Sequence, residues 1–189
     1  MRNLKTIVLA LFLVATTLTA TAQNKKINLE KSKITWVGKK VTGQHDGTIN
    51  FSSGTLVFEK NKLKGGSFVV DMNSIVVADL AAGKGKEKLE GHLKADDFFG
   101  VDKFGTATLD FKKIAAKGSD IYTVTADLTI KGKTLPVTFD LAIGAGTART
   151  SFKVDRTKYD IKYGSGSFFD NLGDKAIDDN FELTVTLVY

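Results

Sequence analysis

The sequence predicts an all-β fold, an eight-stranded antiparallel barrel with one short helical segment. Three observations carry this. Apolar and polar residues alternate with period two along most of the chain, the pattern of strands with one face buried. Glycine-rich turn signals separate the alternating runs. One stretch with helical spacing and one glycine- and aspartate-rich stretch are the only long interruptions.

The first residues belong to something else. Arg2 and Lys5 precede an uncharged apolar run, Ile7 to Ala15, and small residues then end in Ala20-Thr21-Ala22. This is the pattern of a secretory signal peptide over residues 1–22, with cleavage before Gln23. The apolar run is shorter than the roughly 20 residues a spanning helix needs. The chain has no cysteine, which closes the route of lipid attachment at a cleavage-site cysteine. Residues 23–189 amount to one domain, expected to be exported, large enough to fold without disulfides.

The strands follow in order. Ile34 and Trp36 alternate with Lys33 and Thr35. Leu56 and Phe58 share one face. Phe68, Val70 and Met72 oppose Ser67, Val69 and Asp71. Ala107, Leu109 and Phe111 oppose Thr106, Thr108 and Asp110. From Tyr122 to Ile130 every second residue is apolar, with threonines and Asp127 between. Leu135, Val137, Phe139 and Leu141 oppose Thr138 and Asp140. Phe152 and Val154 oppose Lys153 and Asp155, and the chain closes on Phe181, Leu183, Val185, Leu187 and Tyr189. Ser52-Ser53-Gly54 reads as a bulge that kinks one long strand. Pro136, the sole proline, falls near a strand start, where it removes no interior ladder bond.

Two segments break the period. In Ala81 to Phe99, Leu89 and Leu93 are spaced i, i+4, which predicts a short helix. Tyr163 to Asn180 is rich in glycine and aspartate. Each segment carries a Phe-Phe pair, Phe98-Phe99 and Phe168-Phe169, which points to plugs at the barrel ends.

Charge and chemistry exclude several classes. Setting aside Arg2 and Lys5 lowers the formal net charge from +6 to +4, with lysines scattered rather than striped, so no nucleic-acid surface is expected. His45, His92, Asp96 and Asp97 could supply zinc ligands on paper, but no histidine pair has ligand spacing, and no metal or other cofactor is expected. The stretches around Ser165 and Ser167 lack a nucleophile motif, and "GAGTAR" lies between strands rather than opening a helix. No active site is expected from these residues, and an aromatic-rich eight-stranded barrel either fills its interior with side chains or holds one small ligand. Two rival readings are a small outer-membrane barrel, from the alternation and aromatic end of the last strand, and an enzyme using His92 with Asp96 or Asp97.

Five stretches in this order, "SKITWVGKKVTGQHDGTI", "GGSFVVDMNSI", "KLEGHLKADDFF", "DLTIKGKTLPVTF" and "FKVDRTKYDIKYG", resemble the YceI-like family of exported lipid-binding proteins. The resemblance runs from Ser32 to Tyr189. It departs at Ala126, where glycine is usual, and at Gly100, where aspartate is common. It implies a lipocalin-like barrel around an apolar pocket for a polyisoprenoid, a quinone or a fatty-acid derivative, and it allows a homodimer without stable membrane insertion. Under that reading Trp36, Phe58, Phe68, Val70 and Phe111 line the pocket from the earlier strands. Val124, Phe139, Phe152 and Val185 line it from the later ones. Phe98, Phe99 and Phe168 face the pocket or its closure, and His92 and Arg156 are expected near a ligand head group.

Overall fold

A computed structural model describes residues 22–189. The signal-peptide segment lies outside the described residues except for Ala22. Nine strands form one antiparallel sheet: β1 (Gln23–Lys26), β2 (Lys33–Lys40), β3 (Gly43–Glu59), β4 (Lys62–Val77), β5 (Thr106–Ala116), β6 (Ile121–Ile130), β7 (Lys133–Gly144), β8 (Thr147–Asp155) and β9 (Ile177–Val188). Helix α1 (Lys86–Lys94) lies between β4 and β5.

The sheet closes on itself. Ladder order runs β3-β2-β9-β8-β7-β6-β5-β4, and β4 pairs back to β3. Eight strands therefore make the barrel, as predicted. The ninth, β1, is an addition the pattern did not reveal. It pairs with Thr55–Phe58 of β3, while β2 pairs with Gly43–Ile49 of the same strand. Both lie on the β3 edge opposite β4, so β1 and β2 together replace one strand.

The kink in β3 is where the sequence placed it. The β3–β4 register shifts between Phe51 and Ser53, and this bulge lets a 17-residue strand serve two walls of the barrel. Pro136 pairs with Asp127 of β6, and β8 joins β7 only at Ala142–Gly144, so no ladder bond to β8 is lost there. β7 and β8 are unpaired above Ala142, and Phe139 and Phe152 stack between them with centroids 4.7 Å apart.

Inward positions are apolar and outward ones polar. On β6, Tyr122, Val124, Ala126, Leu128 and Ile130 are buried. The outward threonines build a cross-strand ladder with β7: Thr123 Oγ1 donates to Asp140 Oδ1 at 2.8 Å, and Thr129 and Thr134 hydroxyls meet at 2.7 Å.

The two ends differ. At one end Phe58 packs on Tyr189, centroids 5.4 Å apart, with Lys25 Nζ above both rings. The other end carries α1 and both irregular segments. β9 also begins four residues earlier than its alternation indicated, at Ile177, paired with Lys40. Aspartate and asparagine are poor strand formers, and of the residues before Phe181 only Ile177 pairs with β2 and only Asn180 with β8.

Candidate ligand-binding site

The half of the barrel under α1 holds a cavity of about 140 Å³. Its walls are inward strand residues: Ile34 and Trp36 of β2, Ile49 of β3, Val70 and Met72 of β4, Leu128 and Ile130 of β6, and Phe181 and Leu183 of β9. Ile75 and Ala107 complete the wall, and Leu93, Phe98 and Phe99 form the roof.

The roof is built by local backbone chemistry. Leu89 and Leu93 sit one turn apart on α1 and face the core. Past the helix, Phe98 N–H donates to Ala95 O at 3.0 Å, Phe99 N–H to Leu93 O at 3.2 Å and Gly100 N–H to Ala95 O at 2.8 Å. Gly100 adopts φ +58°, a left-handed conformation that glycine enters without penalty; an aspartate there would be strained. This tight turn directs both phenylalanines inward. Their rings meet edge-on at 5.2 Å, and Phe99 reaches Phe181 at 6.2 Å. Val77 N–H donates to Glu90 Oε1 at 2.9 Å and Lys131 Nζ to Asp96 O at 2.7 Å, fastening the roof to β4 and to the β6–β7 turn.

Polar groups gather at one rim, formed by Gly38, Ile177, Asp178 and Asn180. Arg156 lies beneath it, 2 % exposed. Its Nε donates to Asp178 O at 3.0 Å, its Nη1 to Ile161 O and Tyr163 O at 2.8 Å each, and its Nη2 to Ile177 O at 3.1 Å. Burial draws its pKa down, and the carboxylates of Asp179, Asp155 and Asp178 oppose that shift. Four of its five N–H groups thus hold the backbone that frames the rim, which leaves one Nη2 proton, directed toward Asp179 at 3.8 Å. Trp36 Nε1 is buried against the cavity wall with no hydrogen-bond partner among the described residues.

The expected residues divide into three groups. Trp36, Val70, Phe98, Phe99 and Arg156 come together around the cavity. Phe68, Phe111, Val124, Phe139, Phe152 and Val185 point inward but pack in the filled half of the core, and Phe58 lies at the far end. Phe168 does not join them: it is 49 % exposed on the loop before β9, beside Phe169 at 51 %, with Lys162 Nζ 4.8 Å from its ring. The two Phe-Phe pairs therefore differ, one forming a roof and the other a surface feature.

His92 lies outside the cavity, in a groove with His45, Lys88 and Tyr163. Its ring meets Tyr163 edge-on at 4.3 Å and Phe98 at 5.7 Å, and its Nε2 lies 3.3 Å from Asp97 Oδ2. Asp96 turns away to accept from Lys103 Nζ at 2.6 Å. His45 pairs with Asp79 at 2.8 Å. Burial alone would raise the pKa of Asp79, but hydrogen bonds from His45 and from the Asp46 N–H hold it below the usual carboxylate value. Among the described residues no three metal-ligating side chains converge.

Sequence reasoning missed Ile49, Ile75, Leu93, Ala107 and Gly38 as lining residues, and weighted aromatic rings over the aliphatic Ile34, Met72, Leu128, Ile130 and Leu183. The alternation marks most of these as inward. Nothing in it marks their depth along the barrel axis.

The YceI-like domain model matches residues 26–189. The chain belongs to the YceI-like family. Among solved structures, Burkholderia cenocepacia BcnA aligns with a TM-score of 0.68 at 24 % identity, over 86 % of this chain and 99 % of that one. A polyisoprenoid binding domain from Saccharophagus degradans aligns with a TM-score of 0.56 at 15 % identity, over 89 % and 97 % of the two chains. Both likenesses establish the YceI-like barrel fold. A UPF0312 protein of Vibrio campbellii is 28 % identical over 101 residues, 53 % of this chain and 51 % of that protein. This chain spans about half the length of the curated relatives it matches.

Proposed function

We propose that this YceI-like protein is a periplasmic binding protein that carries a long-chain amphiphile, with apolar carbon held in the barrel and the polar end outside it, and that it performs no catalysis. One observation carries the reading: the cavity is walled almost wholly by apolar side chains, and its charged and amide side chains, Arg156, Asp178 and Asn180, cluster at one rim. Such a site favours apolar carbon by about 25 cal/mol per Å² removed from water and offers a charged group no compensation except at the opening. The solved neighbour described as a polyisoprenoid binding domain supports the ligand class, and the leader-like residues 1–22 support the compartment.

The rival readings gain less. A membrane-spanning barrel presents apolar residues outward, whereas here threonines, lysines and aspartates face outward and the apolar residues face in. For catalysis, His92 and Asp97 lie outside the cavity, in an open groove with His45, Lys88 and Tyr163, and not against the enclosed apolar wall.

Protein isolated from its own periplasm should carry a co-purifying lipophile by native mass spectrometry. Titration of delipidated protein with an isoprenoid should change Trp36 emission. A lipid-free native protein, together with unchanged Trp36 emission and no calorimetric signal, would overturn the proposal.

A further inference from the structure

The cavity stops halfway down the barrel. Two residues beyond Ile49 on β3 stands Phe51, and two beyond Val70 on β4 stands Phe68. These begin a continuous line of rings. Phe51 meets Phe68 at 6.1 Å, Phe68 meets Phe111 at 5.6 Å, Phe111 meets Phe139 at 6.0 Å, and Phe139 stacks on Phe152 at 4.7 Å. The line crosses the barrel from β3 to β8.

The rings are locked from behind. A Cβ added to Gly54 would lie 2.6 Å from the Phe68 ring, and one added to Gly66 would lie 2.8 Å from Phe111 and 3.1 Å from Phe68. Two glycines thus make room for these rings and leave them little space to swing. Close-packed interiors resist such displacement.

We infer that this phenylalanine belt is a depth stop that sets how much of an amphiphile the barrel admits. The inference rests on reading the cavity as an amphiphile site. A cavity of about 140 Å³ matches in size one that takes a benzene ring. The ligand class is therefore an amphiphile that inserts a terminal group of about six carbons, with the rest of its chain at or beyond the rim.

The test uses straight-chain 1-alkanols of about four to twelve carbons, titrated calorimetrically into the mature protein. Affinity should rise about fourfold per added methylene up to about six carbons, and by less than twofold per methylene beyond. Phe68→Ala should move that break outward by two carbons or more. Phe68→Leu, the milder change, should move it by at least one. Ala107→Met, which fills the cavity, should move it inward. Each variant is first checked for cooperative unfolding. A wild-type affinity that climbs by a constant factor to twelve carbons would overturn the depth stop, as would a folded Phe68→Leu whose break stays in place. No binding at any length would instead overturn the amphiphile site itself.

Discussion

Gly38 stands opposite Phe181 in the β2–β9 ladder, and the next pair along is Lys40 with Ile177. Asp178, Asp179 and Asn180 therefore bulge out against Lys39 alone. Three residues opposite one cannot keep both strands in ladder contact, and the seam widens into the rim of the cavity.

Gly38 is thus a place to close the site without touching the core. A Cβ built there meets no described atom within 4 Å. Gly38→Phe should lower affinity for a bound amphiphile at least tenfold. Its unfolding free energy should stay within about 0.5 kcal/mol of the parent, as for surface substitutions generally. Titration and urea unfolding on the same preparation check both halves.

Phe98 and His92 touch, but they serve different things. Phe98 offers its ring to the cavity, and burying such a ring is worth about 1.5–3 kcal/mol. His92 braces the roof from outside. Phe98→Ala should weaken binding about tenfold or more. His92→Ala should cost about 1 kcal/mol of stability and change affinity less. The reverse order of affinities in folded variants would argue for a polar site.

Arg156 predicts a stability defect rather than a binding defect. Arg156→Ala strands the carbonyls of Ile161, Tyr163, Ile177 and Asp178, together with Asp179. Removing one partner from such a buried network costs about 3–5 kcal/mol. Arg156→Lys should recover only part of this, because one ammonium cannot reach carbonyls arranged for a planar fork. Denaturant midpoints of the two variants provide the comparison.

Tyr159 sets a limit at high pH. It is buried, its hydroxyl has no partner among the described residues, and burial pushes its pKa up to about 12. The unfolded chain releases that proton near pH 10. Stability is intact below about pH 10 and falls as pH rises from there through about 12. Tyr159→Phe removes this contribution and breaks no hydrogen bond, so its alkaline decline should be shallower and its neutral-pH stability within about 1 kcal/mol of the parent. Unfolding midpoints measured from about pH 8 to pH 12 decide it.

What the sequence determined by itself was the side of the sheet each residue faces. Period-two alternation assigns Trp36, Val70, Leu128 and Leu183 inward and Thr123, Thr129 and Asp140 outward, because successive strand residues point to opposite faces whatever the strand pairs with. The bulge after Phe51 and the helix around Leu89 and Leu93 are also local signals. Depth was decided only in three dimensions. Phe68 and Val70 are indistinguishable in the alternation, yet Val70 lines the cavity and Phe68 packs beyond it between Phe51 and Phe111. That difference depends on how far each strand is staggered against its neighbours, which bulges and long-range pairings set. The two Phe-Phe pairs show the same limit: both fold back through backbone bonds, Phe98 and Phe99 on Ala95 and Leu93 and Phe168 and Phe169 on Ser165, yet the first pair is buried in the roof and the second stays at the surface. The family resemblance put Arg156 near a ligand head group, and the backbone carbonyls of two segments converge on it only once the structure brings 161–163 and 177–178 together.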